Sequence, residues 1–326
     1  IWQDYKKLYA NALKQYSPKF KKELQKQVDV YCRTQDLYAI GYKGIEKTIK
    51  TLHVALGTKM AQVSSKSLKS SIKSNYERLE VKSQQTDMFA YAILKILEKD
   101  GVTTLAQDIT ETTRKQIDYY IKNGLEKGLP LNDIIKQLKT AGITDYRAEL
   151  IARTETGRAA NLGSQVGAIS TGLKTNKEWI ATKDARTRRQ PRDQTDHLHM
   201  DGVKIPMEKQ FEVKDYKTGF DLMDHPCDSK APLAQVCNCR CTMGYEAVRD
   251  ARGKLITYDK QGNIRIYDMK TQRKSKYGET HGVKYDSTQF GMSNRESHQK
   301  QLSLYRILAN NTEGLKAVEE TEFQGR

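Results

Sequence analysis

Long apolar runs are missing from this chain of 326 residues. None approaches the roughly 20 residues that a membrane-spanning helix needs, which excludes that class of span. Hydrophobic residues make up 37% and mean hydropathy is -0.76. That is low for a single compact enzyme and suits long helices with much solvated surface. Proline is scarce as well. Of six, only Pro18 precedes residue 130, so little interrupts helix in the first third. No succession of basic, apolar and small residues marks a signal peptide, and the sequence begins at Ile1 rather than Met. There is no Gly-rich phosphate loop, no HExxH and no GxSxG, which removes the common NTPase, zinc-protease and serine-hydrolase readings. Acid is in deficit: 56 Lys and Arg face 40 Asp and Glu, a net charge of +16. Such a balance favours nucleic acid or an acidic partner surface.

The length allows two or three domains at roughly 100–200 residues each. Residues 1 to about 172 read as helix nearly throughout, with a break or start expected at Ser17-Pro18. Leu37, Ile40, Ile45 and Ile49 outline a loose apolar stripe, weakened by Gly41 and Gly44. Met88 to Leu97 is denser and ends at Asp100-Gly101. Ile117, Tyr120, Ile121 and Leu125 form a cleaner stripe that ends at Gly128. Asn132 suits the N-cap of a short helix over Asp133 to Lys139. Thr144 or Asp145 caps a long helix from about Tyr146 to Ser170, stopped by Thr171-Gly172. Ser64 to Ser83, rich in Ser and Lys, reads as an exposed helix or a mobile joint.

Beyond Gly172 helical periodicity fades. Glu178 to Ala181, Val203 to Ile205 and Phe211 to Val213 predict short strands. Leu255 to Tyr258 and Ile264 to Tyr267 predict a β-hairpin turned at Gly262. Ser293 to about Leu308 predicts a final helix, and Lys270 to Lys276 a solvated basic loop. The expected fold class is therefore α+β. An elongated helical N-terminal region (1–80 and 81–172) leads to a small polar module (173–246) and an extension with hairpin and helix (247–326).

The chemistry-bearing residues concentrate in two places. The long helix carries Arg153, Thr154, Glu155, Arg158 and Asn161 as a polar stripe, with Glu155 and Arg158 one turn apart and able to pair. Gly157, Ala159, Ala160 and Gly163 allow another backbone to approach, so docking against the next domain is favoured over catalysis. The second concentration runs from Trp179 to Cys241. Asp184, Arg186 and Arg188 alternate, so on an extended segment they share a face. The two arginines suit a carboxylate or phosphate clamp, or internal pairing with Asp193, Asp196 or Asp201, which is the favoured reading.

His197, His199, His225, Cys227, Cys237, Cys239 and Cys241 have zinc-compatible chemistry, because thiolate and imidazole are its usual ligands. Cys-x-Cys-x-Cys places alternate side chains on one strand face, less suited to zinc than a Cys-x2-Cys knuckle. The residues leave open a second reading. In it Cys239 and Cys241 are small buried strand residues and His197 is hydrogen-bonded to a carboxylate. His197 with Asp201, and Asp224-His225, are raw materials for a metal-dependent nuclease, without the spacing of a complete site.

In this order and spacing the chain resembles the phage Mu F-like head morphogenesis family, the minor capsid proteins of tailed bacteriophages. The resemblance rests on Arg147-Ala-Glu-Leu-Ile-Ala-Arg-Thr-Glu-Thr-Gly-Arg, then Trp179 with Asp184-Ala-Arg-Thr-Arg. His197, Asp201-Gly202, Pro206, Phe211, His225 to Pro232 and Asn238-Cys-Arg-Cys complete it. It covers roughly residues 80 to 246. Cys227 stands where the family is usually Gly-like, and Cys237 where it is usually aliphatic. A family site would thus centre on His197, Cys239 and Cys241, completed by an acid or Cys227.

The resemblance implies a non-enzymatic virion protein inside the capsid near the portal, present in the host cytoplasm during assembly. It implies few copies and a part in procapsid assembly, with ejection alongside DNA in some members and toxin fusions in others. The implied partners are the portal protein, other head proteins (scaffold or major capsid) and packaged DNA, the last through non-specific phosphate contacts. No membrane partner and no catalytic residues are expected. A delivered nuclease or toxin effector, or a plain DNA-binding virion protein, are the alternatives.

Trp179, Asp184, Arg186, Arg188, His197, Asp201, Asn238, Cys239, Arg240 and Cys241 are expected to form one structural polar cluster. Zinc is the candidate cofactor, at His197, Cys227, Cys239 and Cys241. With Trp179, Ile205, Phe211 and Phe220 as the main apolar residues, the module's core is small, so zinc or salt bridges must help hold it. The Asp and Arg density favours salt bridges. On that view Arg186→Ala destabilises the module more than Cys227→Ser.

Overall fold

The computed structural model describes residues 2–70, 82–140, 143–258 and 264–267. The chain is α+β. Six helices come first: α1 (Trp2–Thr34), α2 (Lys43–Ser70), α3 (Lys82–Lys99), α4 (Val102–Glu126), α5 (Leu131–Thr140) and α6 (Ile143–Ile169). Then follow β1 (Thr175–Ile180), β2 (Lys204–Pro206), β3 (Phe211–Asp215), β4 (Gly219–Met223), the short α7 (Leu233–Val236), β5 (Thr242–Ala247), β6 (Leu255–Tyr258) and β7 (Ile264–Tyr267).

The helix stops at Gly101, Gly128 and Gly172 are real. All three glycines have φ between 68° and 78°, which side-chain-bearing residues rarely adopt. Pro18 does not break the chain: α1 runs through it. Pro18 lacks an N–H for the Lys14 carbonyl, but both residues lie on the exposed face. That carbonyl can turn to water, while Tyr16 (3% exposed) and Phe20 (0%) anchor the opposite face. The short helix begins at Leu131 rather than after an Asn132 cap, with the Pro130 carbonyl accepting from the Asp133 N–H. The Ser- and Lys-rich segment is not simply an exposed joint. Up to Ser70 it continues α2, with Ser64, Ser65 and Leu68 buried, and 71–81 lie outside the described residues.

α6 is the axis of the molecule. It is buried on nearly every side, packed by α2, α1 and α3 and touched at one flank by β5. Its contact with α2 is made backbone to backbone. A Cβ added at Gly163 would lie 2.2 Å from the Gly57 carbonyl oxygen, and one at Gly167 would lie 2.1 Å from that of Ala61. One apolar cluster runs from Tyr5 on α1 through Phe89, Ile93 and Val166 to Leu173, Met207 and Leu255.

The second core lies under a three-stranded antiparallel sheet of order β2-β1-β5 and a β3-β4 hairpin. It holds Trp179, Phe211, Val213, Met223, Met243 and the three buried thiols of Cys227, Cys239 and Cys241. β4 and β5 were not among the expected strands. Phe220 is not in this core either: it is 54% exposed. Register explains it, because Phe220 pairs with Lys214 and Leu222 with Glu212 on the solvent face, while Phe211, Val213 and Asp215 point inward. The expected hairpin forms as β6-β7, and Tyr258 N–H to the Gly172 carbonyl (2.8 Å) docks it at the end of α6. The basic loop at 270–276 and the helix at 293–308 fall outside the described residues.

Candidate functional site

The polar stripe on α6 is the floor of the site. Asn161, fully buried, donates to the Pro226 carbonyl (3.0 Å) and the Cys241 carbonyl (3.1 Å) and accepts from Thr242 Oγ1 (3.0 Å). Arg158 Nε donates to the Cys227 carbonyl (3.2 Å), and Thr154 Oγ1 accepts from the Asn238 N–H (3.2 Å). Gly157 makes room for the Cys227 sulfur, which would lie 2.8 Å from an added Cβ. From α1, Tyr5 Oη reaches the Cys241 carbonyl at 3.5 Å. All but the Thr242 bond satisfy a backbone group in the segments around Pro226 and Cys239, as a buried loop requires.

Behind the floor lies a buried ionic chain. Arg158 Nη1 binds Glu155 Oε1 at 2.7 Å, and Glu155 Oε2 meets His53 Nε2 at 3.0 Å. Burial alone would raise the Glu155 carboxyl, but Arg158 and His53 outweigh it and hold the group below the usual range. Burial lowers His53 from the ordinary imidazole range, against the opposing pull of Glu155. The spacing of Glu155 and Arg158 made their pairing readable. His53 was missed, because a lone histidine on the apolar face of α2 carries no signal of a partner 102 residues away.

Over this floor sit the residues of the Trp179–Cys241 segment. His197 Nδ1 lies 3.5 Å from Cys239 Sγ and 3.7 Å from Cys241 Sγ. These three donor atoms lie within 4.8 Å of one another, and all three residues are buried. Trp179 covers them, its ring 5.3 Å from that of His197 in an edge-on arrangement and equally far from Phe211. The Cys227 sulfur is 3.5 Å from the Cys239 carbonyl oxygen. The neighbouring Cys227 and Cys241 thiols lower Cys239, while the same interaction and burial raise Cys227 and Cys241. Cys237 lies outside the group, half-buried on the turn after α7.

Three expectations about this segment need correcting. Cys239 and Cys241 are not strand residues; they lie in the irregular stretch that leads into β5 at Thr242. His197 is not bonded to a carboxylate. Its Nε2 meets Gln235 Oε1 at 2.9 Å, and Gln235 Nε2 donates to Asp221 Oδ2 at 2.8 Å. Nor do Arg186 and Arg188 hold the acids. Asp184 is bound bidentately by Arg240, with one bond of 2.7 Å, Asp193 by Arg192 at 2.7 Å, and Asp201 by Lys183 at 2.6 Å.

Arg188 donates instead to the Cys237 carbonyl. Arg186 is exposed and offers Asp184 only its backbone N–H (2.9 Å). The reason is local. Asp184 starts a tight turn, accepting from the Arg186 N–H and from Thr187 Oγ1, so no extended face is left for alternate residues to share. Asp201 Oδ1 accepts from the Ala181 N–H (3.0 Å) at the end of β1. His225 lies outside the group of His197, Cys239 and Cys241, its Nδ1 on the Pro226 carbonyl (2.9 Å), and His199 is exposed. His197, Asp201 and His225 thus make separate contacts.

A small α+β module is thereby keyed onto one long helix by polar bonds, and that segment has a family. Residues 115–244 match the family model described as Phage Mu protein F like protein. This part of the chain is thus similar to the phage Mu F-like proteins, a family concerned with phage head morphogenesis. The matched segment starts in α4, later than the resemblance drawn from about residue 80. No curated protein and no solved structure matches the chain.

Proposed function

We propose that the chain is a minor head protein of a tailed bacteriophage that sits inside the capsid near the portal and acts during procapsid assembly. The observation that carries this reading is the Mu F-like match over 115–244, which spans both α6 and the module keyed to it. Arg147, at the start of the quoted motif, ties α6 to α4 through Thr113 Oγ1 (2.7 Å) and Gln116 Oε1 (3.2 Å). The motif residues are thereby employed in holding a rigid platform. On this reading the protein is structural rather than enzymatic, since His197 is buried and bonded to Gln235 and not poised at an open cleft. The net charge of +16 supports residence beside packaged DNA, where Lys and Arg bind phosphate without reading sequence.

A pull-down of the tagged chain from phage-infected lysate tests the reading. Portal protein is expected among the recovered partners. Recovery of DNA alone would favour a plain DNA-binding role. Divalent-metal-dependent cleavage of DNA by the pure chain, abolished by His197→Ala, would favour a nuclease effector.

A further inference from the structure

We propose that His197, Cys239, Cys241 and Cys227 bind a zinc ion that pins three separate loops of the module to one another and, through the floor on α6, to the helices. The geometry comes first. Zn–S bonds of about 2.3 Å and Zn–N bonds of about 2.0–2.1 Å put neighbouring ligand atoms of a tetrahedron about 3.5–3.8 Å apart. The observed Nδ1 to sulfur separations are 3.5 and 3.7 Å.

The ring's proton supplies the second argument. The Asp221 carboxylate only accepts, so it turns the Gln235 amide nitrogen toward itself and leaves Oε1 facing His197. His197 therefore carries its proton on Nε2, and the bare lone pair of Nδ1 points at both sulfurs. A single lone pair cannot accept well from two thiols, but it can ligate one ion that both thiolates share. An imidazole held by a hydrogen bond on its far nitrogen is the usual arrangement at a metal.

The fourth ligand follows from the backbone. Cys227 has φ 64°, a left-handed conformation that costs a side-chain-bearing residue free energy. It is nonetheless fully buried, its sulfur 3.5 Å from the Cys239 carbonyl oxygen and just outside the three donor atoms that lie within 4.8 Å of one another, so a turn of its side chain brings it to the ion. Structural zinc sites are closed by four protein ligands, and Cys3His is one of the usual sets. Over the site, the indole N–H of Trp179 is buried and has no hydrogen-bond partner among the described residues.

The test uses the full chain, expressed with zinc in the medium and purified under reduction. Elemental analysis is expected to find one zinc per chain. Chelation followed by cobalt(II) is expected to give the sulfur-to-cobalt charge-transfer band and the intense visible bands of a tetrahedral thiolate site. A folded chain that takes up neither metal overturns the proposal. Cys241→Ser and His197→Gln are expected to lose stoichiometric metal; should they fail to fold, the cobalt spectrum of the unsubstituted chain still decides. Cys227→Ser is expected to bind cobalt more weakly and with less charge-transfer intensity, and unchanged binding would remove Cys227 from the centre. Gln235→Ala, which touches no metal, is expected to weaken binding about 10–100-fold. Unchanged affinity there would overturn the argument from the ring's proton. None of these readouts depends on a portal partner, so this inference and the assembly reading can fail separately.

Discussion

The two cores of this protein are held by different means. Around α6 the helices pack through apolar side chains and close backbone contact, with Gly57 against Gly163 and Ala61 against Gly167. In the module, apolar side chains are few, and loops are held by hydrogen bonds to their carbonyls and by a cluster of thiols around His197. The helical core can lose a contact and still rely on area buried elsewhere. The module has little area to lose, so its order depends on particular polar atoms. α6 belongs to both, in close backbone contact with α2 at Gly163 and Gly167 and polar toward Cys227 and Cys241, with Glu155 also reaching His53 on α2, which makes it the place where the two can be set against each other.

The largest effect is expected where that polar face is most deeply buried. Glu155→Ala leaves the Arg158 guanidinium buried without its partner, and about 3–5 kcal/mol of stability should be lost. Denaturant titration of the full chain measures it; a loss below about 1 kcal/mol would mean that water reaches Arg158 and that the two sides of α6 do not differ as described. Next comes the apolar side. Gly163→Ala drives a methyl into the Gly57 backbone and should cost about 1–3 kcal/mol. Gly41→Ala, where an added Cβ meets nothing within 4 Å, should stay within about 0.5 kcal/mol. Equal costs at the two positions would remove the close helix contact from the account.

A pH titration of stability sharpens the comparison further. Burial lowers His53 from its ordinary 6.5, so the unfolded chain takes up the proton more readily and stability is lost as pH falls below that value. Glu155 is lowered from its ordinary 4.5, and its contribution is lost in turn as pH falls below that value. Both signs agree. His53→Gln should remove the first step and leave the second, as read by thermal melts across the acid range; a first step that survives the substitution would belong to another group. The smallest effect is expected at Arg186→Ala, within about 0.5 kcal/mol, because the side chain is exposed and among the described residues makes no ion pair. That reverses the ranking of Arg186 above Cys227, which assumed a buried pair. A loss of several kcal/mol at Arg186 would restore it.

Sequence alone determined the helix stops at Gly101, Gly128 and Gly172, the change of pattern after Gly172 and the strands β6 and β7, because these rest on local rules: left-handed glycines and periodicity; the turn expected at Gly262 lies outside the described residues. It also made the residue set around His197, Cys239 and Cys241 readable as unusual, since clustered thiols and imidazole have few bland uses. Only the tertiary structure decided which atoms meet. That Asp184 belongs to Arg240, that His53 belongs to Glu155 and that Phe220 faces solvent are matters of register and of partners 56 or 102 residues apart. The same holds for α1 passing Pro18 and for Lys177. Lys177 lies fully buried on β1, its Nζ bonded to the Asp224 carbonyl at 2.8 Å and its pKa pushed down by burial to about 8. A strand's alternation says which residues share a face, but whether that face is roofed, and by what, is settled by elements far away in the chain.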